Sequence, residues 1–384
     1  MIRSLHLAAS MALVLLTSGL VHAQKNRIDT LLLPFRALTI EDGLSQGMVN
    51  TILQDKYGFM WFGTKDGLNR YDGYNFTVFR QDPEDSTTVR NNYIHSLYED
   101  KQGRLWVGTG EGLELFDRDS ERFIHARAGS TPIRDIVLGI AQDAHNDLWL
   151  ARNNGLAKLT FTGKTSSDGM PPCTIKRYLE NSCLVSSDRA GTIWASQYDL
   201  NSFHVLPNHA GNDVLDTLQL DRPVGNTSTG RSPLALTGLT TIEDTVNRKL
   251  YGLHMFGIAQ LDGHSHRATS LLKVGTELGQ MRGTNAAVDP NGRLWLAIHS
   301  GIYLFDPGPR KFSRALPRDQ NLMLQAQGGA KCAYRDRNGL IWIGTSGYGL
   351  VTYGAHPGDR LHLPRGFGLA HPRQHREQAV VACP

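Results

Sequence analysis

The sequence predicts an all-β protein: a single seven-bladed β-propeller with four-stranded blades, closed by an N-terminal strand that completes the last blade. Three observations predict it. A ten-residue word recurs along the chain, its aromatic anchors fall about 45 residues apart, and helical periodicity is almost absent beyond the N-terminus.

The fullest copy of the word is Asp336-Arg337-Asn338-Gly339-Leu340-Ile341-Trp342-Ile343-Gly344-Thr345. An Asp side chain can accept a hydrogen bond from the backbone two residues on, and a Gly three positions later can take the left-handed conformation that closes a tight turn. A short apolar strand around Trp follows. The same spacing holds for Asp55, Gly58 and Trp61; Asp100, Gly103 and Trp106; Asp143, Asn146 and Trp149; Asp188, Gly191 and Trp194; and Asp289, Gly292 and Trp295. All six Trp residues of the chain are used this way. A seventh, looser copy has Asp244, Asn247 and Tyr251, one residue late. Asn replaces Gly at positions 146 and 247, as expected of the next-best residue for a left-handed backbone. The anchors are 45, 43, 45, 57, 44 and 47 residues apart. Each Asp and Trp of the word is therefore read as structural, building hairpins and packing blades.

In order along the chain, Arg3 and His6 precede an apolar run from Leu7 to Leu20 and a Val21-His22-Ala23 cleavage pattern, so residues 1–23 are read as a signal peptide removed on export. A polar stretch follows, then Phe35–Thr39, which resembles later fourth-strand segments and has no blade of its own. The first unit reads as strands over about Met48–Gln54, Phe59–Gly63, Leu68–Tyr71 and Phe76–Arg80, with the word joining the first two as a hairpin. Later third strands open on a Gly and an apolar residue, as at Gly112-Leu113 and Gly301-Ile302. Polar inserts fall at Thr162–Pro172 and Pro207–Ser232, the latter a surface insertion or a lid over a ligand mouth. The last unit supplies three strands ending near Tyr353, so Phe35–Thr39 should be its fourth, which removes an exposed sheet edge. The propeller spans 35–353, and 354–384, rich in His, Pro and Arg without the word, is read as an irregular or disordered tail.

The 40 Gly among 384 residues suit a protein of hairpin turns. A net charge of +4 is mild for this length and argues against a nucleic-acid partner. The four Cys match no zinc pattern; Cys173 and Cys183 are near enough in sequence to bridge in an oxidising compartment, and Cys332 reads as a buried small hydrophobe. No metal site and no cofactor are expected.

No nucleophile elbow, phosphate loop, zinc-protease helix or dinucleotide fingerprint is present. Residues just before the innermost strands should line the mouth of the central channel. Here these are Arg90, Asn91, Asn92, Arg134, Arg231, Arg282 and Lys331, basic and amide groups suited to an anionic or hydroxyl-rich ligand.

The word, with its Trp61-Phe62-Gly63-Thr64, Trp106-Val107-Gly108-Thr109 and Trp342-Ile343-Gly344-Thr345 cores and the leading Glu41-Asp42-Gly43-Leu44-Ser45, resembles the two-component regulator propeller repeat over about residues 35–353. Ser196 and Tyr251 depart from it. The resemblance implies a periplasmic sensor region that is non-catalytic by itself. In the family it usually precedes a linking β-domain, a membrane helix and a histidine kinase or diguanylate cyclase. The expected partners are a small-molecule ligand such as an oligosaccharide or anionic sugar, and a membrane sensor or dimer partner. Two other readings remain at this point: a secreted propeller enzyme acting on polysaccharide as a lyase or glycosidase, and a truncated sensor fragment.

Overall fold

The computed structural model describes residues 28–163, 169–180, 183–197, 203–206, 216–217, 219–220, 240–245, 247–254, 257–262, 267–273, 286–322 and 329–354. Apart from two single 3-10 turns, Ile40–Asp42 and Gln320–Leu322, the regular structure among them is all strand.

The repeated word builds one local unit six times over. In the last copy, Asp336 Oδ1 accepts from the backbone N–H groups of Asn338 and Leu340, both at 2.9 Å. Its Oδ2 accepts from the indole N–H of Trp342, also at 2.9 Å. The Asp-to-Trp bond spans 2.8 to 3.2 Å in all six copies. Gly339 closes the turn at φ +85°, and Asn146 does the same at φ +69°. A Trp can thus be fully buried without an orphaned donor, which otherwise costs about 1–3 kcal/mol.

Burial of the Trp is what joins one blade to the next. Trp61 packs with Leu97, Val107 and Phe116 of the following blade, and Trp342 with Val49, Ile52 and Phe62 of the first. All six Trp are at most 1% exposed. Each buries roughly 150–250 Å² of side chain, on the order of 4–6 kcal/mol of hydrophobic stabilisation. The small residue two positions after Trp has a specific reason. A Cβ at Gly344 would lie 2.8 Å from the carbonyl oxygen of Val49, on the first strand of the neighbouring blade. A Cβ at Gly108 would lie 2.7 Å from the oxygen of Val137 in the same way.

The first strands of the units are Val49–Gln54, Ile94–Glu99, Val137–Gln142, Cys183–Ser187, Thr240–Asp244, Ala286–Val288 and Ala330–Arg335. They lie side by side in that order, and the last adjoins the first. A second bond series links neighbours. Gln54, just before its turn Asp, accepts from Arg337 N in the last blade at 2.9 Å and donates to Gly58 O of its own turn. Gln142 makes the same pair of bonds with Lys101 N and Asn146 O, and Glu243 accepts from Arg189 N at 2.8 Å.

Seven equivalent four-stranded blades are not what the chain forms. Six blades carry the complete word. Five of these have four strands, and the Trp295 blade has a fifth: Asp29–Leu33 runs parallel to Lys311–Pro317 at its outer edge. The stretch before Phe35 is therefore a strand, where its polar composition read as a lead-in. The sheet around Tyr251 is built differently. Its outermost strand, Gln219–Leu220, is parallel to Arg267–Ala268. With the aromatic one residue late, the Asn247 side chain takes over the indole's role and donates to Asp244 Oδ2 at 2.7 Å. The left-handed residue there is Arg248, φ +52°, rather than Asn247 as the spacing suggests. A two-stranded ribbon, Arg127–Ala128 with Thr131–Pro132, accompanies the Trp106 blade.

The N-terminal closure is as expected. Arg36–Leu38 pairs antiparallel with Leu350–Tyr353 and completes the Trp342 blade. Phe35 anchors it edge-on against Trp295, with centroids 6.2 Å apart, and against Tyr353 at 6.0 Å. The Cys173–Cys183 bridge that the sequence left open is not formed. Cys173 is a buried free thiol that donates to Arg127 O. It begins an outer strand, Cys173–Leu179, whereas Cys183 begins the next inner strand at the other end of the ring. Seven residues of strand, about 23 Å, far exceed disulfide reach. Cys332 is buried as expected, its thiol pushed up to about 12 by desolvation. The signal peptide, most of the 207–232 insert and all but the first residue of the tail lie outside the described residues.

Two outcomes are expected in urea denaturation. Gly344→Ala should lose about 1–3 kcal/mol, because the neighbouring strand's backbone stands in the way; an unchanged midpoint would show that the neighbour gives freely. Phe35→Ala should lose about 3–5 kcal/mol if the N-terminal segment closes the ring; a loss below about 1 kcal/mol would mean that it is only draped over the edge.

Candidate functional site

One end of the ring carries the turn words. The other carries the turns between second and third strands and the long loops that enter each first strand. At this second end a Thr closes each regular turn: Thr64 Oγ1 donates to Gly67 O at 2.9 Å and Thr109 Oγ1 to Gly112 O at 3.1 Å. Thr345 does the same to Gly349 O. In the Trp149 blade Arg152 stands in the Thr place; it is buried and ion-paired with Asp135, tying down the loop before the first strand.

The seven basic and amide residues predicted to line this mouth do not act as one set. Arg90 is taken up by loop carbonyls: its Nη1 donates to Glu111 O and Ile133 O, both at 3.4 Å. It also lies 3.8 Å from Glu114 Oε1, on a third strand. Glu114 is fully buried, and His125 Nδ1 sits 2.5 Å from its Oε2. Burial pushes the Glu114 carboxyl up, against the opposing pull of His125 and then Arg90. This trio binds an outer strand to its loop. Asn91 donates to Glu111 at 3.1 Å and caps Tyr93 N, while Asn92 accepts from Gln81 N at 2.7 Å. Both brace the 80–93 loop. Arg134 is exposed on the next loop with no polar partner among the described residues. Arg231 and Arg282 lie outside the described residues. Of the predicted residues that are described, only Lys331 stands on an innermost strand.

Lys331 belongs instead to a row that offsets from the turn Asp would have revealed. In four consecutive blades the first strand carries a β-bulge next to the mouth: between Ala330 and Cys332, Val49 and Thr51, Ile94 and Ser96, and Val137 and Gly139. The extra residues are Lys331, Asn50, His95 and Leu138, each five positions before its Asp. A bulge releases one residue from the ladder and re-aims its side chain. All four are partly accessible, and the flanking residues of the first three are buried. With strand two on one side and neighbouring blades above and below, the open direction for an innermost strand is the channel.

Three members are polar. Asn50 donates its Nδ2 to Ile94 O of the next blade at 3.0 Å, which leaves its Oδ1 available. The His95 ring is stacked on Tyr93, with centroids 4.2 Å apart at 18°. Burial depresses its pKa, and the positive charge of Lys331 depresses it further. Lys331 has no ion-pair partner within 4 Å among the described residues. The turn carboxylates are otherwise engaged: six accept from their own hairpin and Trp, and Asp244 accepts from Asn247. No group of three or more metal-ligating side chains occurs among the described residues, and no helix there is long and apolar enough to cross a membrane.

Comparison with known proteins agrees with the repeat. The two-component regulator propeller model matches residues 43–66 and 88–111, so these stretches are two-component regulator propeller repeats. A 55-residue stretch is 53% identical to histidine kinase P4 of Formosa agariphila, covering 14% of this chain and 4% of that protein. Among solved structures, the extracellular domain assigned to a hybrid two-component system of B. thetaiotaomicron aligns with a TM-score of 0.64 at 20% identity. The alignment covers 85% of this chain and 42% of that one. Virginiamycin B lyase from Staphylococcus aureus aligns with a TM-score of 0.60 at 10% identity, covering 83% and 98%. At these identities the structural likenesses are of fold, and propellers of this shape include both an extracellular domain of a two-component system and a lyase. This chain spans about two fifths of the first of these.

The site has a pH signature. The folded state holds the pKa of His95 below its ordinary 6.5 through burial and then Lys331, with Tyr93 the stacked neighbour. The unfolded chain therefore takes up the proton first as pH falls. The His95 contribution to stability is present above about pH 6.5 and is lost as pH drops toward the folded pKa. His95→Asn should flatten the decline in urea midpoint between about pH 7 and about pH 5. Parallel slopes for variant and parent would overturn this.

Proposed function

We propose that the chain is an exported, ligand-sensing propeller of the two-component type, non-catalytic by itself. The observation that carries this reading is the pair of two-component regulator propeller repeats at 43–66 and 88–111, lying in the blades that also supply Asn50 and His95. In the same reading the Tyr251 sheet counts as a blade, which makes a ring of seven. Residues 1–23 direct export to the periplasm, 35–353 form the sensor, and 354–384 follow as an irregular tail. The partners are a small-molecule ligand, an oligosaccharide or anionic sugar, and a membrane sensor or second copy; nucleic acid is not among them. Arg134, Arg231 and Arg282 remain candidates to border the ligand from the loops around the mouth, beside Lys331.

Sensing rather than turnover fits the engagement of the acidic side chains. Glycosidic cleavage needs two convergent carboxylates, whereas the turn Asp residues each accept an indole or amide bond. A panel of neutral and acidic oligosaccharides, followed by calorimetry and by mass spectrometry of the same mixtures, tests the reading. Saturable binding with unchanged oligosaccharide masses is expected. Product masses would make the chain an enzyme, and absence of binding across the panel would sink the sensor. Mass spectrometry of periplasmic protein should find Gln24 at the mature N-terminus.

A further inference from the structure

We propose that the bulge row Lys331–Asn50–His95, framed by Tyr93 and ending on Leu138, is a recognition site for the carboxylate of a hydroxyl-rich acid, of which a uronate sugar is the simplest example. The proposal rests on the ligand-sensing reading and adds the place and the charge of the ligand.

Four observations carry it. First, the bulges occur at one level of four adjacent first strands, at a constant offset from the turn Asp. They form a continuous arc and not scattered irregularities, whereas no register shift interrupts the first strand of the Trp194 blade. Bulges favour sites where a side chain must be redirected. Second, Lys331 is a partly accessible Lys with no anion within 4 Å among the described residues. An ammonium on the channel strand without an anionic partner can take an incoming carboxylate in a charge-assisted hydrogen bond. Third, Asn50 is oriented by its bond to Ile94 O, so its Oδ1 is a fixed acceptor for a ligand hydroxyl. Fourth, the Tyr93 ring holds the imidazole of His95 in one plane. The chemistry along the arc is graded: cation, amide, imidazole, then the apolar Leu138. A sugar acid presents a carboxylate, hydroxyls and an apolar C–H face in such an order. Tyr348 is exposed on the turn of the same blade as Lys331 and offers an aromatic face at the rim.

His95 makes the site responsive to pH. Burial and then the Lys331 charge now disfavour protonation of His95; a carboxylate between the two offsets the second of these and gives the imidazolium an anion to pair with, so the imidazole can take a proton and donate a second charge-assisted hydrogen bond. Affinity for the acid should therefore rise as pH falls from about 7.5 to about 6, while the ligand carboxylate, with a pKa near that of other carboxyls, stays ionised.

The experiment uses the full mature chain and two probes, trigalacturonate and its methyl ester, which keeps the hydroxyls but removes the charge. Calorimetry should show the acid bound at least about tenfold more tightly than the ester, with acid affinity increasing at lower pH. Lys331→Met, which keeps the aliphatic stem, should remove that discrimination and leave ester binding unchanged. Asn50→Asp, which places a like charge beside the carboxylate, should weaken the acid about tenfold but not the ester. Equal wild-type affinity for acid and ester overturns the carboxylate assignment. So does discrimination that survives both Lys331→Met and Asn50→Asp in variants with parental thermal melts. Should Lys331→Met fail to fold, Asn50→Asp decides alone. If neither probe binds, the assignment falls. In that case saturable binding of neutral oligosaccharides would leave the sensor reading standing, and its absence would remove both.

Discussion

The whole ring depends on one carboxylate used three ways. In each regular blade the turn Asp accepts two backbone N–H groups, which shapes the hairpin, and one indole N–H, which permits the Trp to be buried. Because that Trp packs against the following blade as well as its own, local turn chemistry and blade-to-blade adhesion are the same event. Where the aromatic shifts by one residue, Asn247 supplies the missing donor. The need for a donor at Oδ2 is thus stricter than the need for Trp.

Close approach of neighbouring first strands follows from this adhesion and has its own requirement. Gly63, Gly108 and Gly344 leave room where a Cβ would strike the next blade's first strand. Gln54 and Gln142 then link the turn of one blade to the turn of the preceding one, the former across the seam between the end and the beginning of the ring. The N-terminal segment ties together the Trp295 and Trp342 blades: Phe35 packs on both Trp295 and Tyr353, Arg36–Leu38 completes the second of these blades, and Asp29–Leu33 adds an edge strand to the first. The bulges sit beside this crowded zone. There a strand held by its neighbours on three sides can free a side chain only toward the channel.

Much of the architecture was legible because it is local. The Asp–Gly–Trp spacing states a turn, a strand and a period, and Phe35–Thr39 was recognisable as a fourth strand lacking a blade. What was misread required knowing which residues are opposed. Arg90, Asn91 and Asn92 look like mouth residues by position, yet each is occupied within its own loops. Asn50 and His95 escaped notice because nothing about an Asn or a His in a strand announces a bulge. Their constant offset of five from the turn Asp was the available signal. Cys173 and Cys183 are close in sequence but lie on neighbouring blades at opposite ends of the ring, since an extended strand separates them.

The sequence by itself determined an all-β chain of hairpin units, their period, the residues that seal each turn and the segment that closes the ring. These follow from backbone conformation and from donors and acceptors within ten residues of one another. Tertiary structure alone decided which side chains face the channel, which cations are already paired and that Lys331, Asn50 and His95 share one arc although 281 residues of chain separate the first two. Strand register and blade adjacency set those relations, and they exist only once the ring has closed.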